Sequence, residues 1–161
     1  MQFIDIQAIH QRSAQAIDDA VAQVFKHGRY INGPEVYELE ATLGNYLGDS
    51  QPLHCIAVAS GTMALEVALR ALGIGPGDEV ITTPFTWIST AETIALVGAT
   101  PVFVDIEADT YNIDPKEVEK VITAKTKAII PVDLFGQMAD YPALEAIAER
   151  HKLKIIEDAA Q

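Results

Sequence analysis

Two helical patterns of apolar residues occupy the first 50 residues of the chain. The first pattern has Ser13 as its candidate N-cap and Gly28 as its stop, and the second begins at Pro34 and ends at Gly48. The apolar positions recur at the spacing of helices that present one apolar face. They are Ile17, Val21, Val24 and Phe25 in the first helix, and Val36, Leu39, Leu43, Tyr46 and Leu47 in the second. We therefore assign residues 1–50 to an amino-terminal helical segment.

From residue 51 onward, short apolar runs alternate with helical patterns. The predicted strands are residues 54–59, 79–83, 101–106, 127–133 and 154–158. The predicted helices between them are residues 62–73, 87–98, 114–122 and 141–152. Strand-helix-strand alternation is typical of an α/β fold with a mostly parallel sheet and helices on both faces. Residues 51–161 are therefore predicted to belong to one α/β domain.

The charge of the chain argues against two classes of partner. Its 23 acidic residues outnumber the 11 basic ones, and the formal net charge is −12. Such a surface repels the phosphates of nucleic acids and anionic lipids at long range. The amino terminus lacks a basic start followed by an apolar run, and no run long enough to span a membrane is free of charges. We therefore expect a cytoplasmic protein that binds neither nucleic acid nor membrane.

Several common kinds of site are missing from the sequence. Cys55 is the only cysteine, which excludes an internal disulfide and, even with the neighbouring His54, a four-ligand structural zinc site. No G-x-G-x-x-G motif follows the first predicted strand, and no G-x-x-x-x-G-K-[ST] loop occurs. The sequence therefore indicates neither a dinucleotide-binding fold nor a phosphate-binding P-loop, and no metal site is predicted.

Four predicted strand ends carry residues suited to ligand binding, in the segments ASGTMAL, TTPFTWIST, PVDLFGQ and EDAAQ. The carboxyl ends of parallel strands are where α/β sheets bind ligands. In the first segment, the backbone N–H groups of Gly61, Thr62 and Met63 at a helix start suit a phosphate group. An ordinary helix start with Ser60 as its N-cap explains the same residues, and this motif alone favours that simpler explanation.

Trp87 and Asp158 are the other two candidates at these strand ends. Trp87 lies between a strand and a helix, where an indole can stack on a flat heteroaromatic ligand or pack into the core, and the sequence leaves both alternatives open. Asp158 follows two isoleucines, so its carboxylate would be partly buried and would need a cationic or hydrogen-bond-donating partner. A protonated ring nitrogen is one such partner.

Together these segments resemble the fold-type I enzymes that use pyridoxal 5′-phosphate. The segments are SGT, PFTW, VDLFGQ and above all IIEDAAQ, supported by FIDI, GRYINGPEVYELE, LGIGPGDEVIT and VDIEADTYNID. They are most similar to the DegT/DnrJ/EryC1/StrS family, whose members aminate keto sugars attached to nucleotides. The resemblance spans essentially the whole chain and implies the amino-terminal half of such an enzyme. Residues 51–161 would then be the first, incomplete part of its large cofactor-binding domain.

The resemblance also implies roles for five residues. Gly61 and Thr62 would hold the cofactor phosphate, and Trp87 would lie against the pyridine ring. Asp158 would pair with the ring nitrogen and keep it protonated, and Gln161 would hydrogen-bond near the phenolic oxygen. Asp133 and Gln137 also lie at a predicted strand end, and we assign them no role.

The residue expected to bind the cofactor covalently has no counterpart in the sequence. Members of this family carry a lysine further along the chain that forms the Schiff base and then moves the proton. None of the seven lysines here lies in a matching motif; they are Lys26, Lys116, Lys120, Lys125, Lys127, Lys152 and Lys154. The catalytic lysine is therefore unknown, and the sequence is expected to contain about half of an active site.

The implied reaction is transamination, in which an amino acid such as glutamate donates its amino group to a nucleotide-linked keto sugar. The segment GRYINGPEVYELE is close to family members that act on UDP-linked 3-keto hexuronates in polysaccharide biosynthesis. Two alternatives remain: a sugar dehydratase of the same fold, in which histidine replaces the lysine, and a truncated, non-catalytic chain that binds or regulates. The resemblance further implies a homodimer whose interface includes residues 28–40, because family members build each active site from two subunits.

Overall fold

The computed structural model describes residues 4–48, 51 and 53–161. The chain forms two compact units that divide between Ala57 and Val58. Residues 49 and 50, at the predicted end of the helical segment, and Phe3 of the FIDI segment lie outside the described residues. The assignment of residues 1–50 and 51–161 to separate domains therefore stays a prediction. Within the described ranges, no helix combines the length and the apolar character that crossing a membrane requires.

The first unit contains two helices, α1 (Ile6–His27) and α2 (Pro34–Leu47). The predicted end of α1 is confirmed, because Gly28 adopts a left-handed conformation with φ 68° and its N–H donates to the Val24 carbonyl oxygen. The predicted bounds of α2 are also confirmed, with its proline in the first turn and a glycine as its C-cap.

The prediction that Ser13 is the N-cap of α1 is wrong. Ser13 lies inside the helix, which begins earlier because the Asp5 carboxylate accepts a 2.9 Å hydrogen bond from Ala8 N. Aspartate and serine are comparable N-caps, and no proline or glycine separates the two positions. The earlier cap therefore adds about two turns to the helix.

The second unit is a four-stranded sheet covered by helices. The strands are β1 (Glu79–Thr82), β2 (Thr100–Phe103), β3 (Thr126–Ile129) and β4 (Lys154–Ile155). They are ordered β2-β1-β3-β4, and every neighbouring pair is parallel. The helices are α3 (Gly61–Ala71), α4 (Ser89–Leu96), α5 (Pro115–Val121) and α6 (Tyr141–His151), with a short 3-10 turn at Leu134–Gly136. The predicted α/β fold with a parallel sheet is confirmed.

Two apolar clusters cover the two faces of the sheet. Successive strand residues alternate between them, since Val80 belongs to one cluster and Ile81 to the other, as side chains along a strand must. The first cluster combines residues of α3 and α4 with strand and loop residues; it consists of Leu65, Leu69, Ile74, Val80, Ile94, Val97, Ala99, Ala128 and Ile130. The second combines residues of α5 and α6 with strand and loop residues; it consists of Ile81, Val104, Ile113, Val118, Ile129, Ala139, Leu144 and Ile147. Burial on both faces explains why β1 and β3 each contain consecutive apolar residues.

The prediction of a strand at residues 54–59 is wrong. This segment has no strand assignment in the described chain, and none of the four strands pairs with it. Its Ile56 and Val58 side chains are exposed. An apolar run becomes a strand only when a neighbouring backbone accepts and donates its hydrogen bonds, and no strand of the described residues does so for this segment.

Candidate active site

A cavity of about 240 Å³ lies at the carboxyl-terminal side of the sheet, beside the start of α3. All five residues to which the sequence assigned cofactor contacts line this one cavity. They are Gly61, Thr62, Trp87, Asp158 and Gln161, and Leu65, Ser89, Thr90 and Ala160 complete the lining. Trp87 and Asp158 meet because they follow β1 and β4, which are parallel members of one sheet and end at the same edge, and the start of α3 adds Gly61 and Thr62.

The start of α3 forms one wall of the cavity. Ser60 is its N-cap, and its hydroxyl oxygen accepts a hydrogen bond of 3.2 Å from Met63 N. The prediction that the Met63 N–H is free is therefore wrong, because the cap already uses it. The predicted cap at Ser60 is confirmed, and the N–H groups of Gly61 and Thr62 remain in the first turn, where the helix dipole favours an anion.

The fold itself gives no reason for glycine at position 61. Gly61 does not have a positive φ, and a Cβ atom added there would meet no atom of the described chain within 4 Å. Neither backbone conformation nor packing therefore requires glycine. The missing side chain widens the cavity next to two backbone donors, which fits the close approach of a ligand phosphate.

Asp158 also lines the cavity and is held by the backbone that follows the neighbouring strand β3. Its N–H donates to the Pro131 carbonyl oxygen at 3.0 Å, and its own carbonyl oxygen accepts from Asp133 N at 3.0 Å. These bonds extend the parallel pairing beyond the ends of β3 and β4, as an isolated bridge between Val132 and Asp158. The Thr90 hydroxyl donates to Asp158 Oδ2 at 3.0 Å, so the side chain is fixed as well.

Trp87 borders several depressions of the surface. The residue is 77% exposed, so the alternative that it packs into the core does not hold in the described structure. It lines the cavity with Asp158, and it also lines an apolar depression with Phe85 and Phe135. An exposed indole beside a carboxylate is available to stack on a flat ligand.

Asp133 is not part of the cavity lining, although it follows β3 closely. It is 6% exposed, and its Oδ1 accepts hydrogen bonds from Ala139 N at 2.9 Å and from the Tyr141 hydroxyl at 3.1 Å. Burial, and then the negative charge of Asp133, raise the pKa of Tyr141. Partial burial and a hydrogen bond shared with Asp133 raise the pKa of Glu157. Asp133 therefore ties the end of β3 to the start of α6.

The sequence analysis missed four lining residues: Leu65, Ser89, Thr90 and Ala160. Leu65 belongs to a core cluster, and Ala160 is a neighbour of Gln161 in sequence. Ser89 and Thr90 begin α4 directly after Trp87. In a parallel sheet, the first turn of a helix that follows a strand lies at the same edge as the strand end. The residues of that turn are therefore candidates for the lining of a site at this edge.

The sequence profile of the DegT/DnrJ/EryC1/StrS aminotransferase family matches residues 11–161. A relative from Pseudomonas aeruginosa, UDP-2-acetamido-2-deoxy-3-oxo-D-glucuronate aminotransferase, is 52% identical over the whole chain, which covers 44% of that relative. A second relative, from Geobacillus stearothermophilus, is named pleiotropic regulatory protein and is 49% identical over 98% of the chain and 42% of its own length. The chain thus spans less than half the length of these relatives.

Solved structures agree with the sequence comparison. The crystal structure of a DegT DnrJ EryC1 StrS aminotransferase from Brucella abortus matches this chain with a TM-score of 0.93 and 50% identity. The match covers all of this chain and 44% of the chain in that structure. NtdA from Bacillus subtilis, whose crystal structure has the cofactor PMP bound, matches 93% of this chain and 34% of its own, with a TM-score of 0.88 and 38% identity. From the profile match over residues 11–161 and these relatives, we conclude that the chain belongs to the DegT/DnrJ/EryC1/StrS aminotransferase family.

Proposed function

We propose that the complete protein uses pyridoxal 5′-phosphate to transfer an amino group from an amino acid such as glutamate to a nucleotide-linked keto sugar. The observation that carries this proposal is the combination of two unlike sets of groups in the lining of one cavity. The start of α3 offers backbone donors and an open glycine for an anion, and Asp158 offers a fixed carboxylate for a cation. Pyridoxal phosphate carries both an anionic phosphate group and a ring nitrogen that can be protonated.

The lining residues fit the parts of that cofactor. Gly61 and Thr62 would hold the phosphate, Asp158 would face the ring nitrogen, and Trp87 would cover one face of the ring. Gln161 lies at the same cavity and would hydrogen-bond near the phenolic oxygen. When bound, the cofactor supplies an electron sink for the carbon that gains or loses the amino group. The contribution of Asp158 is a negative charge that keeps the ring nitrogen protonated.

The substrate that we propose is a UDP-linked 3-keto hexuronate. The support is the P. aeruginosa relative, whose name specifies a UDP-linked 3-oxo-glucuronate and which is 52% identical over the whole chain. A direct test is amino-group transfer by the full-length protein, with glutamate as donor and UDP-linked or dTDP-linked keto sugars as acceptors. Transfer to a dTDP-linked sugar alone would overturn the choice of nucleotide while leaving the reaction class in place.

The covalent anchor is the second point to test. None of the seven lysines lines the cavity, so we propose that the catalytic lysine lies outside these 161 residues. The full-length protein should be incubated with pyridoxal phosphate, reduced with borohydride and mapped by mass spectrometry. A stoichiometric adduct on a lysine beyond Gln161 is expected. An adduct on Lys154, or on any other of the seven, would show that the assignment of the site is wrong.

The same experiment separates the two alternative functions. A sugar dehydratase of this fold would bind the cofactor without forming any lysine adduct, since histidine replaces the lysine. A non-catalytic regulatory protein, which the name of the G. stearothermophilus relative brings into consideration, would also lack amino-group transfer with every keto sugar tried. An adduct together with transfer excludes both alternatives.

Replacing Trp87 with alanine should weaken cofactor retention by about 1–2 kcal/mol, because an aromatic stacking contact contributes about that much beyond its buried area. The exposure of the indole means that the substitution leaves no cavity in the core. Retention is measured by dialysing the holoenzyme and following the cofactor absorbance. Trp87→Phe is the matched variant and should lose less. Equal loss from the parent and both variants would contradict stacking.

We also propose that the protein is a homodimer whose interface includes residues 28–40. This segment exposes several large apolar side chains within the first unit, namely Tyr30, Ile31, Tyr37 and Leu39. An exposed apolar group of this kind is typical of a surface that another subunit covers. Light scattering of the full-length protein should give twice the mass of one chain, and Ile31→Asp should shift it toward the monomer. A fully active monomer would contradict the proposal.

A further inference from the structure

A chain of threonine hydroxyl groups ends on the carboxylate of Asp158. The Thr90 hydroxyl donates to Asp158 Oδ2 at 3.0 Å, and the Thr86 and Thr90 hydroxyl oxygens lie 3.4 Å apart. A hydroxyl group has one hydrogen, so Thr90 gives it to Asp158 and Thr86 must act as the donor to Thr90. Both bonds therefore point toward the carboxylate.

The Thr90 side chain is held in place by the packing of α4. Thr90 is 1% exposed although it lines the cavity. Its bond to Asp158 connects α4 with the end of β4, across 68 positions of sequence. A buried donor in a fixed place can hold one oxygen of a carboxylate while the other remains available.

The remaining carboxylate oxygen is less constrained. Asp158 Oδ1 has only a long contact of 3.4 Å with Ala160 N among the described residues. Thr90 thus determines the rotation of the carboxylate about its side-chain bonds, and with it the direction in which the free lone pairs point. Without this bond the carboxylate could rotate between several orientations of similar energy.

We propose that Thr90 is a positioning residue, which turns the Asp158 carboxylate toward the ring nitrogen of the bound cofactor. This inference rests on the proposed function, because it needs a ligand with a protonated ring nitrogen in the cavity. Thr90 acts through Asp158 and not on the ring itself. Removing the Thr90 hydroxyl should therefore weaken the binding only of ligands that have the ring nitrogen.

The test uses two ligands that differ in that one atom. Pyridoxamine phosphate has the ring nitrogen, and its 1-deaza analogue has carbon in its place; neither forms a Schiff base with a lysine. Affinities of the full-length apoprotein for both are measured by calorimetry. Thr90→Val should weaken the binding of pyridoxamine phosphate about tenfold, the usual effect of losing one hydrogen bond to a charged group. Its affinity for the 1-deaza analogue should stay within about twofold of the parent.

Two further variants control for the fold. Thr93→Val is the matched control, because Thr93 is a buried threonine of the same helix whose hydroxyl bonds only to the Thr90 carbonyl. Thr93→Val should leave the ratio of the affinities for the two ligands the same as in the parent protein. Thr90→Ser retains the hydroxyl and should restore most of the lost affinity, whereas Thr90→Ala is a second variant that lacks it.

The outcomes separate the inference from the function on which it rests. If the parent protein does not bind pyridoxamine phosphate, the proposed function itself fails. If the parent binds it and hydroxyl-free variants at position 90 lose equal affinity for both ligands, or lose none, then Thr90 is only structural and the inference is overturned.

Discussion

Replacing Asp158 with asparagine should lower the rate of amino-group transfer by the full-length protein about a hundredfold or more. A neutral amide cannot keep the cofactor ring nitrogen protonated, so the ring loses most of its capacity to accept electrons. The fold should survive, because an asparagine side-chain oxygen can still accept the Thr90 hydroxyl hydrogen and the backbone bonds at position 158 are unchanged. Single-turnover measurements are the appropriate assay, since they separate the chemical step from product release.

The neighbouring Glu157→Gln variant is the matched control for Asp158→Asn. Glu157 is one residue away and also acidic, but it does not line the cavity, and its carboxyl lies beside Asp133. Its replacement should change the rate by less than about threefold, as is usual away from the reacting groups. A rate for Asp158→Asn within a few-fold of the parent would show that this carboxylate is only structural.

Replacing Asn112 with alanine should lower the free energy of unfolding by about 3 kcal/mol. Asn112 is 1% exposed, and its Nδ2 donates to the carbonyl oxygens of Gln137 at 2.9 Å and Met138 at 3.0 Å. Its Oδ1 accepts from Leu134 N at 3.3 Å. Alanine removes these three bonds together, at about 1 kcal/mol for each bond, and leaves two carbonyl oxygens and one N–H group without this partner.

The loops that Asn112 joins have strained backbones. Tyr111, directly before it, has φ 62°, and Phe135 in the other loop has φ 59°. Left-handed conformations of this kind are unfavourable for non-glycine residues and persist only where surrounding contacts hold them. The two aromatic rings contact each other, with 6.1 Å between their centroids. Losing Asn112 should therefore release both loops together.

Denaturant unfolding of the full-length protein measures this effect. Asn45→Ala is the control, because Asn45 is exposed on α2 and its replacement should change stability by less than about 0.5 kcal/mol. Asn112→Asp provides a second comparison: it keeps the shape but places an acceptor oxygen against two carbonyl oxygens, so it should be at least as destabilising as alanine. A loss below about 1 kcal/mol for Asn112→Ala would contradict the structural role.

Much of the fold follows from short-range patterns in the sequence. The starts of α2 and α5 are encoded by proline at the first helical position, and Asp114 caps α5 by accepting from Lys116 N at 2.8 Å. Consecutive apolar residues occur in the central strands, Val80 with Ile81 in β1 and Ala128 with Ile129 in β3, because both faces of the sheet are buried there. Caps and periodicity depend on residues within a few positions of one another, so they can be inferred without knowing the fold.

The residues of the candidate site could be predicted for a related reason. Once strands and helices alternate, a parallel sheet brings the strand ends to one edge, and the motifs at those ends must come together. The shared cavity of Trp87 and Asp158 agrees with this expectation, whereas Gly61 joins them although the strand predicted before it does not form. The roles of these residues toward a cofactor stay predictions, as do the dimer and the missing lysine.

Tertiary structure alone decided the remaining features. Residues 54–59 have the composition of a strand but no strand pairs with them, and the bond from Thr90 to Asp158 joins residues that no local pattern relates. Asn112 lies between the strand predicted over residues 101–106 and the helix predicted over residues 114–122, yet it joins two loops through three hydrogen bonds. The physical reason is common to all three. Whether a polar group or strand edge finds a partner depends on which distant segment packs against it, whereas helix periods and caps depend only on neighbours along the chain.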